Sequence, residues 1–337
     1  MVLLGPVEAG VLGFGCMGIT AFYGEPMTEE AAVALLTSAH AAGYTHFDSS
    51  EVYTSTFPQP NSDETVHGEV LLGKFIATVA RGSVTVATKC NPAACWGGKT
   101  DAATVAAMVD ASLARLGTDY IDVYYLHRLP PQGAEEWFTS MKPILASGKV
   151  RALGISEASP ANLRKAHAIA PITAAQYEWS LLERAVEAEI IPTCKELGIA
   201  VVAYSPLSRN LLAGGDTAAT TSGTFRALCP RFAADNLAAN AALVEQKVGA
   251  LAASRGASTA QLSLGWLLQR AAEMGVSVLP IPGTTNPSHA AANMGGVGLR
   301  FSSAEMASLE ELAAAVAGQR APDRYLHGAH EGWQAGE

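Results

Sequence analysis

The chain has 337 residues, 49% of them apolar and 16% charged, with a formal net charge of −9 at pH 7. This composition can form a large buried core. It contains neither the run of about 18 apolar residues that crosses a membrane nor the basic stripe that nucleic-acid binding needs. The first residues also lack the basic and then apolar order of a secretion signal. We therefore expect a soluble, cytoplasmic protein without a membrane or nucleic-acid partner.

Five cysteines occur, and none of them forms a CxxC motif. An odd count in a long chain with an adequate core argues against a disulfide framework. Cys90 and Cys95 are too isolated from other ligand types to predict a metal site, and His327 and His330 are typical of a solvated tail. We expect no metal.

Strand-like and helix-like segments alternate along the whole chain. Short runs typical of buried parallel strands occupy residues 11–14, 44–48, 84–89, 121–126, 150–155, 173–176, 200–204 and 276–281. Amphipathic stretches of helical length lie between them, among them residues 28–42, 101–116, 161–168, 186–197 and 240–254. Thr28 is a typical N-cap, and Gly43, Gly117 and Gly198 are typical C-caps.

Eight strand–helix units in about 300 residues fit one closed barrel better than two domains. The sequence therefore predicts a single-domain (β/α)₈ TIM barrel over residues 1–337, with its core at about 11–294 and a C-terminal extension at about 295–337. Residues 54–65 and 209–236 lack periodicity and follow predicted strands. We interpret them as long βα loops on the C-terminal face of the barrel, where active sites of this fold lie.

Two motifs suggest other folds, and both are rejected. Gly13, Gly15 and Gly18 spell GxGxxG, but the following residues contain Gly24 and Pro26, which prevent the immediate helix that a Rossmann phosphate site requires. A tight strand-end loop beside a ligand is the better interpretation. The segment around Ser156 is similar to a nucleophile elbow but lacks its last glycine.

Polar residues at strand ends are the informative set. Asp48, Lys89 and His127 each end a predicted strand, and Tyr53 follows Asp48 by five residues. Parallel barrel strands point their carboxyl ends at one face, so these four side chains can share a pocket. Carbonyl reduction needs a proton donor, and a neighbouring ammonium group lowers the pKa of a phenol. Lys89, oriented by Asp48, would thus help Tyr53 act as the acid, and His127 would polarise the carbonyl.

These residues also carry a family resemblance. The run AAGYTHFDSSEVY resembles the aldo-keto reductase signature FDT-A-x-x-Y, and VTVATK and DVYYLHR resemble the Lys and His strands of that family. Further similar segments extend the likeness over residues 11–293. The resemblance implies the (β/α)₈ barrel, NADPH, and a catalytic set of Asp48, Tyr53, Lys89 and His127.

The resemblance also implies a set of cofactor-binding residues. They are Ser156, Gln176, Tyr204, Ser205, Pro206, Leu207, Arg209, Gly283, Thr284, His289 and Asn293. Tyr204 would lie against the nicotinamide ring, Gln176 and Ser156 would hold its amide, and the loop beginning at Ser205 would cover the pyrophosphate.

The sequence departs from the family pattern at several places. Glu157 stands where many members have Asn, Ser208 stands where Gly is common, and residues 54–65 lengthen a loop. Residues 284–289, TTNPSH, contain no Lys or Arg for a 2′-phosphate, so NADH is also possible. Thr285, Asn286 and the start of a helix near Pro287 would still bind the phosphate.

The expected function is NADPH-dependent reduction of an aldehyde or ketone, in either direction by mass action. The alternative is a cofactor-binding regulatory subunit of a membrane channel. The small-molecule substrate would lie against loop residues, for which the candidates are Phe22, Tyr23, Phe57, Trp96 and Arg128. The sequence does not indicate the oligomeric state.

Overall fold

Eight parallel strands form the centre of the molecule. The structure, a computed structural model, describes residues 1–56, 65–97, 100–214, 221 and 223–322. The barrel strands follow each other around the sheet in chain order, which confirms the predicted (β/α)₈ fold. They are β3 Gly13–Gly15, β4 His46–Asp48, β5 Thr85–Lys89, β6 Ile121–Leu126, β7 Val150–Ser156, β8 Ile172–Glu178, β9 Ala200–Tyr204 and β10 Val278–Pro280.

An antiparallel hairpin that the sequence analysis missed precedes the barrel. Its strands are β1 Val2–Leu4 and β2 Val7–Ala9. Leu4 and Ala9 are fully buried, and they join one apolar cluster with inward-facing residues of the barrel such as Val202 and Leu279. The hairpin thus covers the end of the barrel at which the strands begin.

The first and last barrel strands meet at two glycines. The backbone N–H of Gly15 donates to the carbonyl of Pro282 at 3.3 Å. A Cβ on Gly15 would lie 2.8 Å from the Ile281 carbonyl oxygen, and one on Gly283 would lie 2.5 Å from the Gly15 oxygen. Any larger residue would force the strands apart. Gly15 of the GxGxxG motif therefore closes the barrel, and the motif leads into a short 3-10 turn, Met17–Ile19, not into a long helix.

Helices cover the outside of the barrel. They are α1 Glu29–Ala41, α2 Gly68–Ile76, α3 Pro92–Trp96, α4 Ala102–Leu116, α5 Glu135–Ser147, α6 Pro160–Ile169, α7 Ile190–Leu197, α8 Ala234–Val244, α9 Ala250–Ser254, α10 Thr259–Met274, α11 Pro287–Asn293, α12 Ser303–Glu310 and α13 Leu312–Ala315. The Thr28 side chain caps α1 as predicted, and Gly117 ends α4 with a φ of +61°.

Some boundaries differ from the predictions. The helix predicted over 240–254 begins earlier, at Ala234, and contains a π-helical turn, Glu245–Gly249, between α8 and α9. Part of the predicted 209–236 loop forms 3-10 turns, Phe225–Leu228 and Pro230–Phe232. Local periodicity does not report such turns because they depend on tertiary contacts.

The C-terminal segment extends beyond α13 and returns toward the strand ends, where Ala321 is fully buried. No helix within the described ranges is long and apolar enough to span a bilayer. The single-domain boundaries and the division at residue 294 stay predictions.

Candidate active site

Three strand ends carry the predicted catalytic residues to one place. Asp48 ends β4, Lys89 ends β5, and His127 directly follows β6. The Lys89 Nζ lies 2.5 Å from the Asp48 Oδ1 and 5.1 Å from the centroid of the Tyr53 ring. The Tyr53 and His127 rings meet edge to face, with centroids 6.1 Å apart. The structure therefore brings all four side chains together.

Lys89 is the buried cation of this group, and its side chain has no exposed surface. Its Nζ also donates to the carbonyl oxygen of Ser49 at 2.6 Å. Burial lowers the pKa of Lys89, while the Asp48 carboxylate acts in the opposite direction. Asp48 receives a second hydrogen bond, from the Gln176 Nε2 at 2.8 Å. The carboxylate is thus held on both oxygens, which fixes the ammonium group beneath the Tyr53 ring.

His127 is held by a buried hydroxyl group. Its Nδ1 lies 3.0 Å from the hydroxyl oxygen of Ser50, which is itself fully buried. Burial lowers the pKa of His127 well below its usual value, and the cations of Arg128 and Lys89 lower it further. The imidazole is therefore neutral at neutral pH. A neutral imidazole carries its proton on only one of its two nitrogens. Which nitrogen carries it depends on whether the Ser50 hydroxyl donates to Nδ1 or accepts from it.

Three residues expected to hold the nicotinamide lie on the neighbouring strands. Ser156 ends β7 and accepts a hydrogen bond from Arg128 at 3.0 Å. Gln176 lies in β8 and is tied to Asp48. Tyr204 ends β9 and is partly exposed. These side chains line the same end of the barrel as the Lys89–Asp48 pair.

The loop after β9 has an unusual backbone. Ser205, Ser208, Arg209 and Asn210 all have positive φ, between +47° and +89°. This conformation favours glycine, the residue that the resemblance leads one to expect at position 208. Here Ser208 adopts it, and its hydroxyl oxygen lies 2.7 Å from that of Ser180. The loop therefore keeps a left-handed turn without the glycine.

The Arg209 side chain is buried and does not extend into solvent. Its guanidinium forms two hydrogen bonds with the Glu178 carboxylate, at 3.2 and 2.9 Å, and donates to the backbone carbonyl of Arg320 at 2.7 Å. Its side chain is 4% exposed. Arg209 thus anchors the loop, and its predicted contact with the cofactor stays a prediction. Pro206 is buried in the same loop, and Ser205 and Leu207 are partly exposed.

The segment after β10 presents polar groups. The Thr284 hydroxyl accepts from the backbone N–H of Asn286, and the Asn286 side chain caps α11 by accepting from the N–H of Ser288. Helix α11 begins at Pro287, as the sequence predicts. Four of the predicted cofactor residues here are exposed, namely Gly283, Thr285, Asn286 and His289, whereas Asn293 is buried.

These features fit a nicotinamide dinucleotide. Gln176 contacts Asp48 directly, and the partly exposed Tyr204 and the buried Ser156 end neighbouring strands of the same barrel. A left-handed loop and a capped helix start lie further out, where phosphates need polar partners. Among the described residues, no group of three or more His, Cys, Asp or Glu side chains is arranged to hold a metal ion.

Residues 11–314 match the sequence model of the "Aldo/keto reductase family". The chain belongs to this family. It is 37% identical to the protein named "Probable aldo-keto reductase 1" of Glycine max, over 97% of this chain and 92% of that one. Membership identifies the chain as an oxidoreductase that acts on carbonyl compounds.

Solved structures of aldo-keto reductases share the fold. The glycerol dehydrogenase of Gluconobacter oxydans is 21% identical and superimposes with a TM-score of 0.76, covering 94% of this chain and 95% of that one. An aldo-keto reductase from Klebsiella pneumoniae, solved in complex with NADPH, is 24% identical with a TM-score of 0.67 and 90% coverage of each chain.

In this aldo-keto reductase, one candidate substrate residue contacts the Tyr53 ring, and the other described candidates have different partners. Phe22 lies edge-on to Tyr53, with ring centroids 6.3 Å apart. The Arg226 guanidinium lies 4.4 Å from the centroid of the Tyr23 ring. Trp96 is 41% exposed and donates to a loop carbonyl. Phe57 lies outside the described residues.

The sequence analysis missed Ser50, Glu178 and Arg320. Glu178 is a charged residue at the end of a buried strand, the same signal that identified Asp48, and it was open to prediction. Ser50 follows directly in the signature run. Arg320 lies far along the chain from its partners, and no local pattern indicates such a contact.

Proposed function

We propose that the protein reduces aldehydes or ketones to alcohols with NADPH, and that Tyr53 is the proton donor. The observation that carries this proposal is the buried Lys89–Asp48 ion pair beneath the Tyr53 ring, with the His127 ring edge to face with that phenol. A structural role for the ion pair would not account for the phenol and the imidazole that lie next to it at the open end of the barrel.

The bound cofactor would supply the hydride that reaches the carbonyl carbon. Tyr53 gives a proton to the carbonyl oxygen as negative charge develops there. The Lys89 ammonium stabilises the resulting phenolate, and Asp48 keeps that ammonium in place. His127 donates a hydrogen bond to the same oxygen and so polarises the carbonyl. In the oxidation direction Tyr53 takes the proton back.

NADPH is the proposed cofactor because family membership favours it and because the Klebsiella pneumoniae relative binds it. In this chain Ser156 and Gln176 would hold the nicotinamide amide, and Tyr204 would lie against its ring. The loop at 205–209 and the start of α11 would hold the phosphates. NADH stays possible because α11 begins without a Lys or Arg.

The named relatives are reductases and a dehydrogenase, which favours turnover over the regulatory-subunit alternative. We accordingly propose small carbonyl compounds as the partners. The cytoplasmic location stays a prediction.

A panel of aldehydes and ketones, assayed with NADPH and with NADH, tests the proposal. We expect saturable, NADPH-dependent conversion of at least one carbonyl class to the alcohol, measured as loss of NADPH absorbance and by product analysis. Tight NADPH binding without turnover across a broad panel would contradict the enzyme assignment and favour the regulatory role.

A further inference from the structure

The C-terminal segment at residues 317–321 is fastened to the open end of the barrel. Asn240 exchanges two hydrogen bonds with the backbone of Ala317, at 2.9 and 3.0 Å. The carbonyl of Gln319 accepts from the backbone N–H of Arg231 at 3.1 Å. These backbone contacts fix the path of the segment and therefore the position of the side chain that follows Gln319.

That side chain is Arg320, and it is only 10% exposed. Its guanidinium lies 2.6 Å from a Glu157 carboxylate oxygen and 3.2 Å from a Glu178 carboxylate oxygen. It also donates to the Tyr204 hydroxyl at 2.8 Å. Arg320 therefore joins the ends of β7, β8 and β9 through one planar group.

The Tyr204 hydroxyl is held from two sides. It accepts from Arg320 and donates to Glu157 at 3.0 Å. Glu157 reaches this position with a φ of +55°, a conformation that L residues other than Asn and Asp seldom adopt. Glu157, one of the departures from the family pattern, thus contacts the hydroxyl of the residue expected to lie against the nicotinamide.

We propose that Arg320 and Glu157 are positioning residues of the cofactor site, which hold the Tyr204 hydroxyl so that its ring keeps one orientation against the nicotinamide. The inference rests on the proposed function. Charge-assisted hydrogen bonds are shorter and stronger than neutral ones, so two of them restrict the ring more than packing alone. A ring already fixed loses little entropy when the cofactor binds.

The charge balance of the cluster supports this role. Glu178 forms ion pairs with Arg209 and Arg320, and Glu157 forms one with Arg320. Burial raises the pKa of Glu157, but Arg320 and Arg128 outweigh it and leave that pKa below its usual value. The carboxylate is therefore ionised and accepts from the Tyr204 hydroxyl.

A double-mutant cycle between Tyr204→Phe and Arg320→Lys tests the proposal. Lys at 320 keeps a cation between the two carboxylates but cannot contact both of them and the hydroxyl at once. We expect each single variant to bind NADPH about tenfold more weakly, as measured by fluorescence titration. The double variant should bind no more weakly than Tyr204→Phe alone, because Arg320 acts through the hydroxyl.

A cofactor fragment provides the sharpest control. 2′-Phospho-ADP-ribose lacks the nicotinamide ring, so its dissociation constant should be the same in all the variants. Equal losses for the fragment and for NADPH would show a general disturbance of the site and overturn the proposal. Losses that multiply in the double variant, or NADPH binding unchanged in both single variants, would overturn it as well.

Further controls cover folding and the underlying function. Arg255→Lys makes the same change in an ion pair with Glu305 and should leave NADPH binding unchanged. If Arg320→Lys fails to fold, the same cycle is run with Glu157→Gln, which keeps the size of the side chain and should give the same pattern. A wild-type protein that binds no NADPH would overturn the proposed function and this inference together. Wild-type turnover combined with equal losses for the fragment would overturn only the inference.

Discussion

The open end of the barrel has two halves that are built differently. On β4 to β6, one buried cation, Lys89, has a single carboxylate partner, Asp48. On β7 to β9, Glu157 and Glu178 share Arg320, and Glu178 also pairs with Arg209. Gln176 links the halves through its hydrogen bond to Asp48. We call them the proton-transfer half and the cofactor half.

The difference shows where one substitution has the greater effect. Among the described residues, Lys89 is the cation that pairs with Asp48 and no second one does so. The electrostatics of the proton-transfer half therefore depend on each of these two residues. In the cofactor half Glu178 pairs with two arginines, so it keeps one cation when the other is removed. A buried charge left without its partner is costly, and the proton-transfer half is therefore the more sensitive one.

The largest effect is expected when the proton donor is removed. Tyr53→Phe should lower kcat/KM for an aldehyde by about 10²- to 10⁴-fold, the range for a lost general acid. The cofactor half is untouched, so the dissociation constant for NADPH should stay close to the wild-type value. Steady-state kinetics and fluorescence titration measure the two quantities. Tyr120→Phe is the control, because Tyr120 packs against Arg81 and Arg151 away from the site. A Tyr53→Phe enzyme with near wild-type turnover would remove Tyr53 from its assigned role.

Lys89→Met should have the next largest effect. Without the ammonium group the Tyr53 phenol is a weaker acid, and Asp48 is left buried without its cation. We expect kcat/KM to fall by about 10²- to 10³-fold, the size measured when one preorganised electrostatic group is lost, and its pH profile to change shape. Lys74→Met alters an exposed ion pair with Glu29 and should change turnover less than twofold, in line with the small contribution of surface pairs. An unchanged pH profile in Lys89→Met would show that Lys89 does not influence the proton transfer.

The start of β4 should carry a pH dependence of stability. Burial lowers the pKa of His46 from its usual 6.5 to about 4. Below pH 6.5 the unfolded chain binds a proton at His46, whereas the folded state resists that proton. The contribution of the neutral His46 to the free energy of unfolding is therefore complete above pH 6.5 and is lost as the pH falls toward 4. The contribution is about 3 kcal/mol.

The measurement is the free energy of unfolding in urea across this pH window. His46→Gln should show a shallower decline than the wild type. Part of the remaining decline is expected from His127 and His67, whose pKa values are lowered in the same direction. Identical slopes for the two proteins would contradict the prediction.

The smallest effect concerns cofactor choice, in the other half. We expect kcat/KM for NADPH to exceed that for NADH by about tenfold to a hundredfold, or roughly 1.4 to 2.8 kcal/mol. The reason is that hydroxyl and amide groups near α11 replace the usual cation. Thr285→Lys should increase this ratio, whereas Ser303→Lys, on α12, should not. A wild-type ratio at or below one would mean that the missing cation decides in favour of NADH.

The two halves also differ in how far the sequence predicts them. Asp48, Tyr53, Lys89 and His127 were open to prediction because strand ends meet at one face of a barrel, and a buried apolar strand that stops at a titratable residue is a local signal. The eight strands themselves lie within a few residues of the predicted runs for the same reason.

The cofactor half was less accessible. Arg320 contacts Glu157 across 163 positions of the chain, and such a pairing leaves no periodic trace in either segment. The N-terminal hairpin was missed because strands of three residues are too short for a pattern. Arg209 was expected at the cofactor, but the carboxylate that holds it belongs to another strand.

The glycine contact between the first and last barrel strands has a consequence for synthesis of the chain. Gly15 leaves the ribosome about 270 residues before Gly283, which at 5–20 residues per second is roughly 15 to 50 s. Throughout that interval the edge of β3 has no partner on its β10 side. Any partial sheet formed during that interval therefore has an unpaired edge. Closure is a late event, completed only after the final strand has emerged.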